Sequence, residues 1–481
     1  MSARVAASIA ALVLLAAAAG CGSSGRDPDR AGSTLHTTWR DTDGDGALEP
    51  RPGEPLARRT ELAPAARLRA EVARLGVLSD VHLADEESPA HLPFLDRLGP
   101  PFSSTFRPQE ALQPRVLAAA VRSLNAARPQ AVLEAGDLAD SAQSNELRQA
   151  RRVLDGGLVR PDSGERGYHG PQLRSNPDPL FYRPDVDAPR YAGLLDAAER
   201  PFRSPGLRAP WHPVLGNHEI LVAGELAPTQ RTNALATGDR ALTRLDPSFS
   251  VPRGEEALAP EAVDQVLAAG LPGDTERRAP DPDRRQLSAA EAVERLRPGT
   301  AGPRLEYAFD IGRGLRVIVL DVVARDRGAG GRVSAGTLRF LRAELARAGD
   351  RRIAVATHQP LRSSAGGERV LALLDRDRRV VATLAGHTHR NRIRPRRTAI
   401  GGYWQIETAS LADYPQQARM LALVRTEGGG LALRTWMVDP APGDRWVDAA
   451  RRLAYLDVQG GRPSRAAARA GDRNALLYLP R

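Results

Sequence analysis

Five short stretches of this 481-residue chain place nitrogen and oxygen donors directly after apolar runs. They are Ser79-Asp80-Val81-His82, Gly136-Asp137-Leu138-Ala139-Asp140, Gly216-Asn217-His218-Glu219, Thr357-His358 and Gly386-His387-Thr388-His389. Carboxylate, amide and imidazole side chains in such numbers suit metal ligation, general acid–base work, or both. Each stretch alone is weak. An Asp-x-His pair is commonly a turn, a lone histidine after a strand is commonly a surface side chain, and Gly-Asp or Gly-Asn is ordinary turn chemistry. Together they carry more: of nine histidines, five (His82, His218, His358, His387 and His389) fall in these stretches. Ligands of open α/β sheets bind beyond the carboxyl ends of strands, so five strand ends can bring these donors to one place.

The surrounding pattern predicts the elements that must hold them. Apolar runs at 73–78, 130–135, 213–215, 353–357 and 380–385 each lead into one donor stretch and read as strands. Residues 305–310 and 315–323 read as a strand pair across Gly312-Arg313-Gly314, and 403–408, 420–426 and 431–438 as further strands. Helical spacing covers 114–127, with Val116, Leu117, Val121 and Leu124 on one face. It also covers 147–154 and, from Ser334 as N-cap, a helix to about residue 348. Strands alternate with helices and later run consecutively, which points to an α/β sandwich with a mixed sheet. Residues 141–210 and 220–303 are polar and Pro-rich, and segments of that length are functional insertions or flexible. Val447, Leu453, Tyr455 and Leu456 predict a helix within 441–481, packed on the domain.

The N-terminal MSARVAASIAALVLLAAAAGC has one arginine, an apolar run from Val5 to Ala19, then small residues, which is a signal-peptide layout over 1–21. The run is short for a transmembrane helix. Cys21, the sole cysteine, follows Ala18-Ala19-Gly20 and resembles the lipidated cysteine of a bacterial lipoprotein signal. Ala18 departs from the leucine usual there, and an ordinary secretory signal is the alternative. The expected location is extracytoplasmic, lipid-anchored to the bacterial membrane or else secreted, with a domain that has no disulfide. Residues 22–70 are rich in Gly, Ser, Pro, Asp and Arg and read as a flexible tether. Within it, Asp41-Thr42-Asp43-Gly44-Asp45-Gly46 begins like a calcium loop, but Pro52 stands where an EF-hand has its glutamate. Calcium and a solvated Asp/Gly turn both stay open. Net charge is +10 and every basic side chain is arginine, scattered among acids, which reads as coding bias and not as a nucleic-acid surface. No protein partner is inferred.

The ordered series DxH, GDxxD, GNH[DE], isolated His and GHxH resembles the calcineurin-like metallophosphoesterase superfamily over roughly residues 73–440. The stretch ETASLADYPQQARM (407–420) and the DGDG segment further resemble a branch of secreted actinobacterial members. The resemblance implies a catalytic domain over 71–440 with the α/β fold of that superfamily, a sandwich of two mixed sheets flanked by helices, with long insertions. It implies two metal ions, the first held by Asp80, His82 and His389, the second by Asn217, His358 and His387, with Asp137 bridging. Such ions share a hydroxide and clamp the attacking and leaving oxygens. The N and O donors suit Mn, Fe, Zn or Co, divalent or mixed-valence. Two divalent ions with two carboxylates and a hydroxide leave a small net positive charge, which attracts an anionic phosphoester.

In the same scheme His218 gives a proton to the leaving alkoxide or steadies the phosphate, and Asp140 accepts a hydrogen bond from its imidazole. Gln143 stands where purple acid phosphatases, a branch of the superfamily, carry a metal-binding tyrosine, so a ferric–tyrosinate site is not expected. The expected function is metal-dependent hydrolysis of phosphoesters outside the cytoplasm by a metal-bridging hydroxide. The alternatives are a phosphodiesterase or nuclease acting on nucleotides or nucleic acid and, from another class, a non-catalytic envelope lipoprotein using the fold as a binding module. His387 and His389, one residue apart in an extended segment, are expected to point to the same side and reach two different metals.

Overall fold

The strands that end in the donor stretches belong to two sheets. A computed structural model describes residues 29–30, 32–94, 106–251, 255–457, 468–469 and 471–480, so the signal-peptide and Cys21 expectations lie outside the described residues. One sheet has seven strands in the order Ala57–Arg59, Ala475–Leu479, Leu431–Val438, Ala418–Thr426, Leu68–Leu78, Ala131–Glu134, Trp211–Pro213. The other has six, in the order Tyr307–Ile311, Leu315–Val319, Arg352–Ala356, Val380–Ala385, Gly401–Glu407, Arg392–Thr398. Both are mixed, with parallel strands carrying the donor stretches. Leu68–Leu78, Ala131–Glu134 and Trp211–Pro213 run parallel in the first. Leu315–Val319, Arg352–Ala356, Val380–Ala385 and Gly401–Glu407 do so in the second.

Side-chain alternation along these strands explains the layering. Val317, Val319, Ala354 and Ala356 join a core that also holds Leu75, Val77, Val132 and Leu133 of the other sheet. Their neighbours Ile318, Leu320, Ile353 and Val355 face the opposite way, on to Leu338 and Leu341 of the helix Ala335–Arg347 and Val370, Leu371 and Leu374 of the helix Gly367–Leu374. Both faces of the six-stranded sheet are therefore apolar, as parallel strands between layers must be. The helix Gln113–Ala127 has proline near its start, where a missing N–H costs nothing, and ends at Arg128 with a left-handed φ of 53°. It turns Val116, Leu117, Val121 and Leu124 into the main core. Leu124 is fully buried, and its truncation to alanine is expected to cost about 2–5 kcal/mol.

Several expectations shift. The third donor strand is Trp211–Pro213, two residues earlier than its apolar signal, because Val214 and Leu215 are buried beyond the last ladder pair. Leu315–Val319 stops short of residue 323. The segments 141–210 and 220–303 hold the helices Leu194–Glu199, Gln230–Thr237, Pro260–Ala269 and Ala289–Leu296. Two of these begin in capping boxes, Thr229 with Thr232 and Ser288 with Glu291. The stretch read as a tether is built into the fold from residue 32 onward: Ala57–Arg59 pairs in parallel with Ala475–Leu477, part of a C-terminal apolar run, Ala475–Leu479, that is a further strand. Backbone pairing over that distance overrides a polar composition. The helix Arg445–Leu456 packs Val447, Ala450 and Leu453 inward. In the Asp/Gly segment the Asp41 carboxylate accepts the N–H groups of Gly44 at 2.7 Å and Gly46 at 3.0 Å, a local turn.

Candidate metal centre

The five stretches meet where both sheets present the carboxyl ends of their parallel strands. Asp80, His82, Asp137, Asp140, Asn217 and His218 arrive from the seven-stranded sheet, and His358, His387 and His389 from the six-stranded one. Donor atoms gather in overlapping groups: Asp80 with His82 and His389, Asp137 with His358 and His387, and His82 with Asp137 and His218, each group within 4.8 Å of itself. Asp137 joins them, its Oδ2 lying 2.9 Å from His358 Nε2 and 3.8 Å from His82 Nε2. His387 stands in the Asp137 group and His389 in the Asp80 group. Asn217 is oriented beside them: its Nδ2 donates to the Gly224 carbonyl at 2.9 Å and its Oδ1 accepts from Gln359 Nε2 at 3.0 Å.

The backbone is bent to do this. Left-handed φ values occur at Asp80 (51°), His82 (47°), Asp137 (58°), His387 (66°) and His389 (53°). Each costs a side-chain-bearing residue about 1 kcal/mol, so the surroundings must hold them. Asp80 N–H donates to the Gly136 carbonyl at 3.0 Å, and His387 N–H to Asp80 Oδ1 at 2.9 Å. The expectation of an extended GHTH segment is thereby corrected: two left-handed residues curl it and send its imidazoles to separate groups. Gly386 serves by its lack of a side chain, since a Cβ there would lie 2.0 Å from Ser79 Oγ.

Hydrogen-bond acceptors set which ring nitrogen faces the cluster. His82 Nδ1 lies 3.0 Å from Asp140 Oδ1, His389 Nδ1 is bonded to Asp413 Oδ2, and His358 Nδ1 lies 2.8 Å from the Ala135 carbonyl. These partners can only accept, so each Nδ1 carries a proton, and in the neutral form of each ring the Nε2 lone pair turns inward. His82 Nε2 and His389 Nε2 then face each other at 3.1 Å. His358 Nε2 is fully buried and lies against the Asp137 carboxylate, 2.9 Å from its Oδ2. Lone pairs set against lone pairs and carboxylates need positive charge between them, and imidazole plus carboxylate donors fit a transition-metal cation.

Without a metal, protons supply part of that positive charge. Burial pushes His358 down, but Asp137 outweighs it and raises the imidazole to about 10. His389 is likewise raised to about 9, against burial, by Asp413 and then Asp80. Burial, then the like charge of His218, lowers His82 to about 4. Burial, then His358, lowers His387 to about 3. Asp137 would be raised by burial, yet His358 and His218 hold it well below the carboxylate range.

One expected pairing is corrected. The Asp140 carboxylate bonds His82, while His218 Nδ1 lies 2.6 Å from the Asp140 main-chain carbonyl and 3.6 Å from its Oδ1. His82 and His218 meet edge to face at 4.4 Å, and the carboxylate sits nearer the His82 ring. Either acceptor fixes His218 in the tautomer that leaves Nε2 for proton transfer. Gln143 is engaged elsewhere, accepting from Ser88 Oγ at 2.6 Å and donating to Glu146 Oε1 at 2.8 Å.

Four residues matter that sequence reasoning did not assign. Glu219 accepts N–H groups of Gly216, Asp137, Leu138 and Ala139 at 2.6–3.0 Å, clamping two donor stretches together. Gln359 orients Asn217, Asp413 orients His389, and Arg107 donates to Asp413 at 3.0 Å. Glu219 stands inside a quoted motif and Asp413 inside the 407–420 stretch. Arg107 and Gln359 have no local signal.

No protein-family model and no curated protein matches the chain. Among solved structures it is similar to a dimetal phosphatase from Danio rerio (15% identity, 77% of this chain and 100% of that chain, TM-score 0.35). It is also similar to a purple acid phosphatase from yellow lupin seeds (12%, 83% and 57%, TM-score 0.36). A third is the NAD nucleotidase of Haemophilus influenzae (9%, 79% and 55%, TM-score 0.28). Likenesses at this level carry no inference about the reaction, which must come from the residues of the site. Those residues, in their order and at the ends of two facing mixed sheets, agree with the sequence's resemblance to the calcineurin-like metallophosphoesterase superfamily.

Proposed function

We propose that the chain is a metal-dependent phosphoesterase working outside the cytoplasm. The observation that carries the reading is the pair of inward-facing sets, His82 Nε2 against His389 Nε2 at 3.1 Å and His358 Nε2 against Asp137 Oδ2 at 2.9 Å, where positive charge is needed. Asp80, His82 and His389 would hold one metal, Asn217, His358 and His387 a second, and Asp137 would touch both. Bound there, such ions supply charge to a phosphoryl group and acidify water at neutral pH.

The chain's own residues do the rest. Asp80, Asp137 and His358 are fully buried and form the floor, whereas His218 and His389 are partly open and face the substrate side. His218, its Nδ1 fixed on the Asp140 carbonyl, can hold a proton at Nε2 and pass it to a leaving oxygen. A panel of phosphomonoesters and diesters, run with Mn, Fe, Zn and Co and with Asp137→Asn as the blank, tests the reading and separates monoesterase from diesterase or nuclease. Hydrolysis in no metal form would leave the binding-module alternative.

The location is supported by the N-terminal run and Cys21. No helix among the described residues is long and apolar enough to cross a membrane. Lipid attachment at Cys21 predicts that Cys21→Ser leaves the membrane fraction; retention there would count against it.

A further inference from the structure

Behind the Asp80–His82–His389 group stand two carboxylates, and behind both stands one guanidinium. Asp140 Oδ1 accepts from His82 Nδ1 at 3.0 Å, and Asp413 Oδ2 accepts from His389 Nδ1. Arg107 Nε donates to Asp413 Oδ1 at 3.0 Å, and its Nη1 lies 3.9 Å from Asp140 Oδ1. With the 3.1 Å approach of the two Nε2 atoms, the contacts close into a ring: Arg107, Asp413, His389, His82, Asp140, and back to Arg107. Arg107, Asp140 and Asp413 are 7%, 5% and 5% exposed, so bulk water does not screen them. The arginine is itself tied down. Its N–H donates to Glu110 Oε2 at 3.2 Å, and Gln109 Nε2 donates to the Ala412 carbonyl at 2.9 Å, docking this segment on the one that carries Asp413.

Two buried carboxylates near one another repel, and each one left uncompensated is free to shift and to carry the imidazole bonded to it out of place. A planar guanidinium addresses two carboxylates at once, which an ammonium point charge cannot do from one place. We propose that Arg107 is the positioning residue of the first metal site. It fixes Asp140 and Asp413, and through them the spacing and orientation of the His82 and His389 rings, without touching metal or substrate. The inference rests on the metal-binding reading of that group.

The test strips the full-length protein with chelator and titrates Mn2+ back, following bound Mn2+ by equilibrium dialysis and the manganese EPR spectrum. Wild type should take up about two ions with an exchange-coupled spectrum. Arg107→Met should keep the second site and lose affinity at the first by about 10–100-fold, as outer-sphere changes do, giving an uncoupled spectrum at metal levels that saturate wild type. Arg107→Lys should fall between. If Arg107→Met is shown by circular dichroism not to fold, Asp413→Asn and Arg107→Lys give the same reading. Folded variants that bind two ions with wild-type affinity and coupling would overturn the role of Arg107, as would equal loss of both sites. A wild-type protein that takes up no metal would overturn the site reading and this inference together.

Discussion

His82 and His389, delivered by different sheets, bring their Nε2 atoms to 3.1 Å, each ring backed by its own carboxylate. Asp80, beside His82, has its Oδ1 3.4 Å from the same His389 nitrogen. A cation held there would tie the two sheets together across their open end. Metal should therefore stabilise the fold as well as enable chemistry. Free metal a hundredfold above Kd should add about 2.7 kcal/mol per site, visible as a rise in Tm that chelator reverses. A Tm indifferent to metal would contradict this.

The pH dependence has a sign. In chelated protein, His358 and His389 are raised from 6.5 to about 10 and about 9. Their contribution to stability is complete below about pH 6.5 and is lost as pH climbs through those values. His82 and His387 are lowered to about 4 and about 3, so they cost stability as pH falls from 6.5 through that range. Chelated protein should be most stable near pH 6.5 with respect to these four groups. Because metal must displace the protons on His358 and His389, its affinity should rise with pH up to about 9 at the His389 group and about 10 at the His358 group. Calorimetric titration in buffers of different ionisation enthalpy should show proton release at pH 7.5, and none would contradict the assignment.

His218 should matter most when the leaving group is poor. Its Nδ1 is fixed on the Asp140 carbonyl at 2.6 Å, which leaves Nε2 as the donor. His218→Gln should lower kcat on alkyl phosphates by about 10²–10⁴-fold, and much less on nitrophenyl phosphate, whose leaving group needs no proton. An equal loss on both would assign His218 to binding.

Glu219→Gln should behave as a severe change. Both carboxylate oxygens accept two backbone N–H groups each, Leu138 and Ala139 on one, Gly216 and Asp137 on the other. An amide must turn its own N–H₂ toward two of those donors. Orphaned buried donors cost about 1–3 kcal/mol each, so urea unfolding should report a loss of several kcal/mol. A loss below about 1 kcal/mol would show that the turn has other support.

The donor stretches were legible because each couples an apolar run, whose length and β-branched content mark a strand, to polar residues at its end. The sandwich followed from the order of those elements. The second tier was not legible, for a physical reason. Arg107 meets Asp413 across 306 residues, and Gln359 meets Asn217 across 142. Such pairings are made by tertiary folding and leave no local pattern. The exchange of Asp140 between His82 and His218 is of the same kind: both rings are near, and only the turn geometry after Ala131–Glu134 decides which one the carboxylate reaches. Ala57–Arg59 carries no strand signal because three residues have no periodicity of their own, and their strand exists only through Ala475–Leu477.

Asp137 is the residue on which the central claim turns, since its carboxylate lies within reach of both ligand groups. The most direct measurement is metal content and phosphoester hydrolysis of purified wild type beside Asp137→Asn. Wild type should hold about two metal ions per chain and hydrolyse phosphoesters, and the variant should lose the paired occupancy together with the activity. Wild type without metal-dependent hydrolysis, or an Asp137→Asn protein that hydrolyses as wild type does when loaded, would contradict the account.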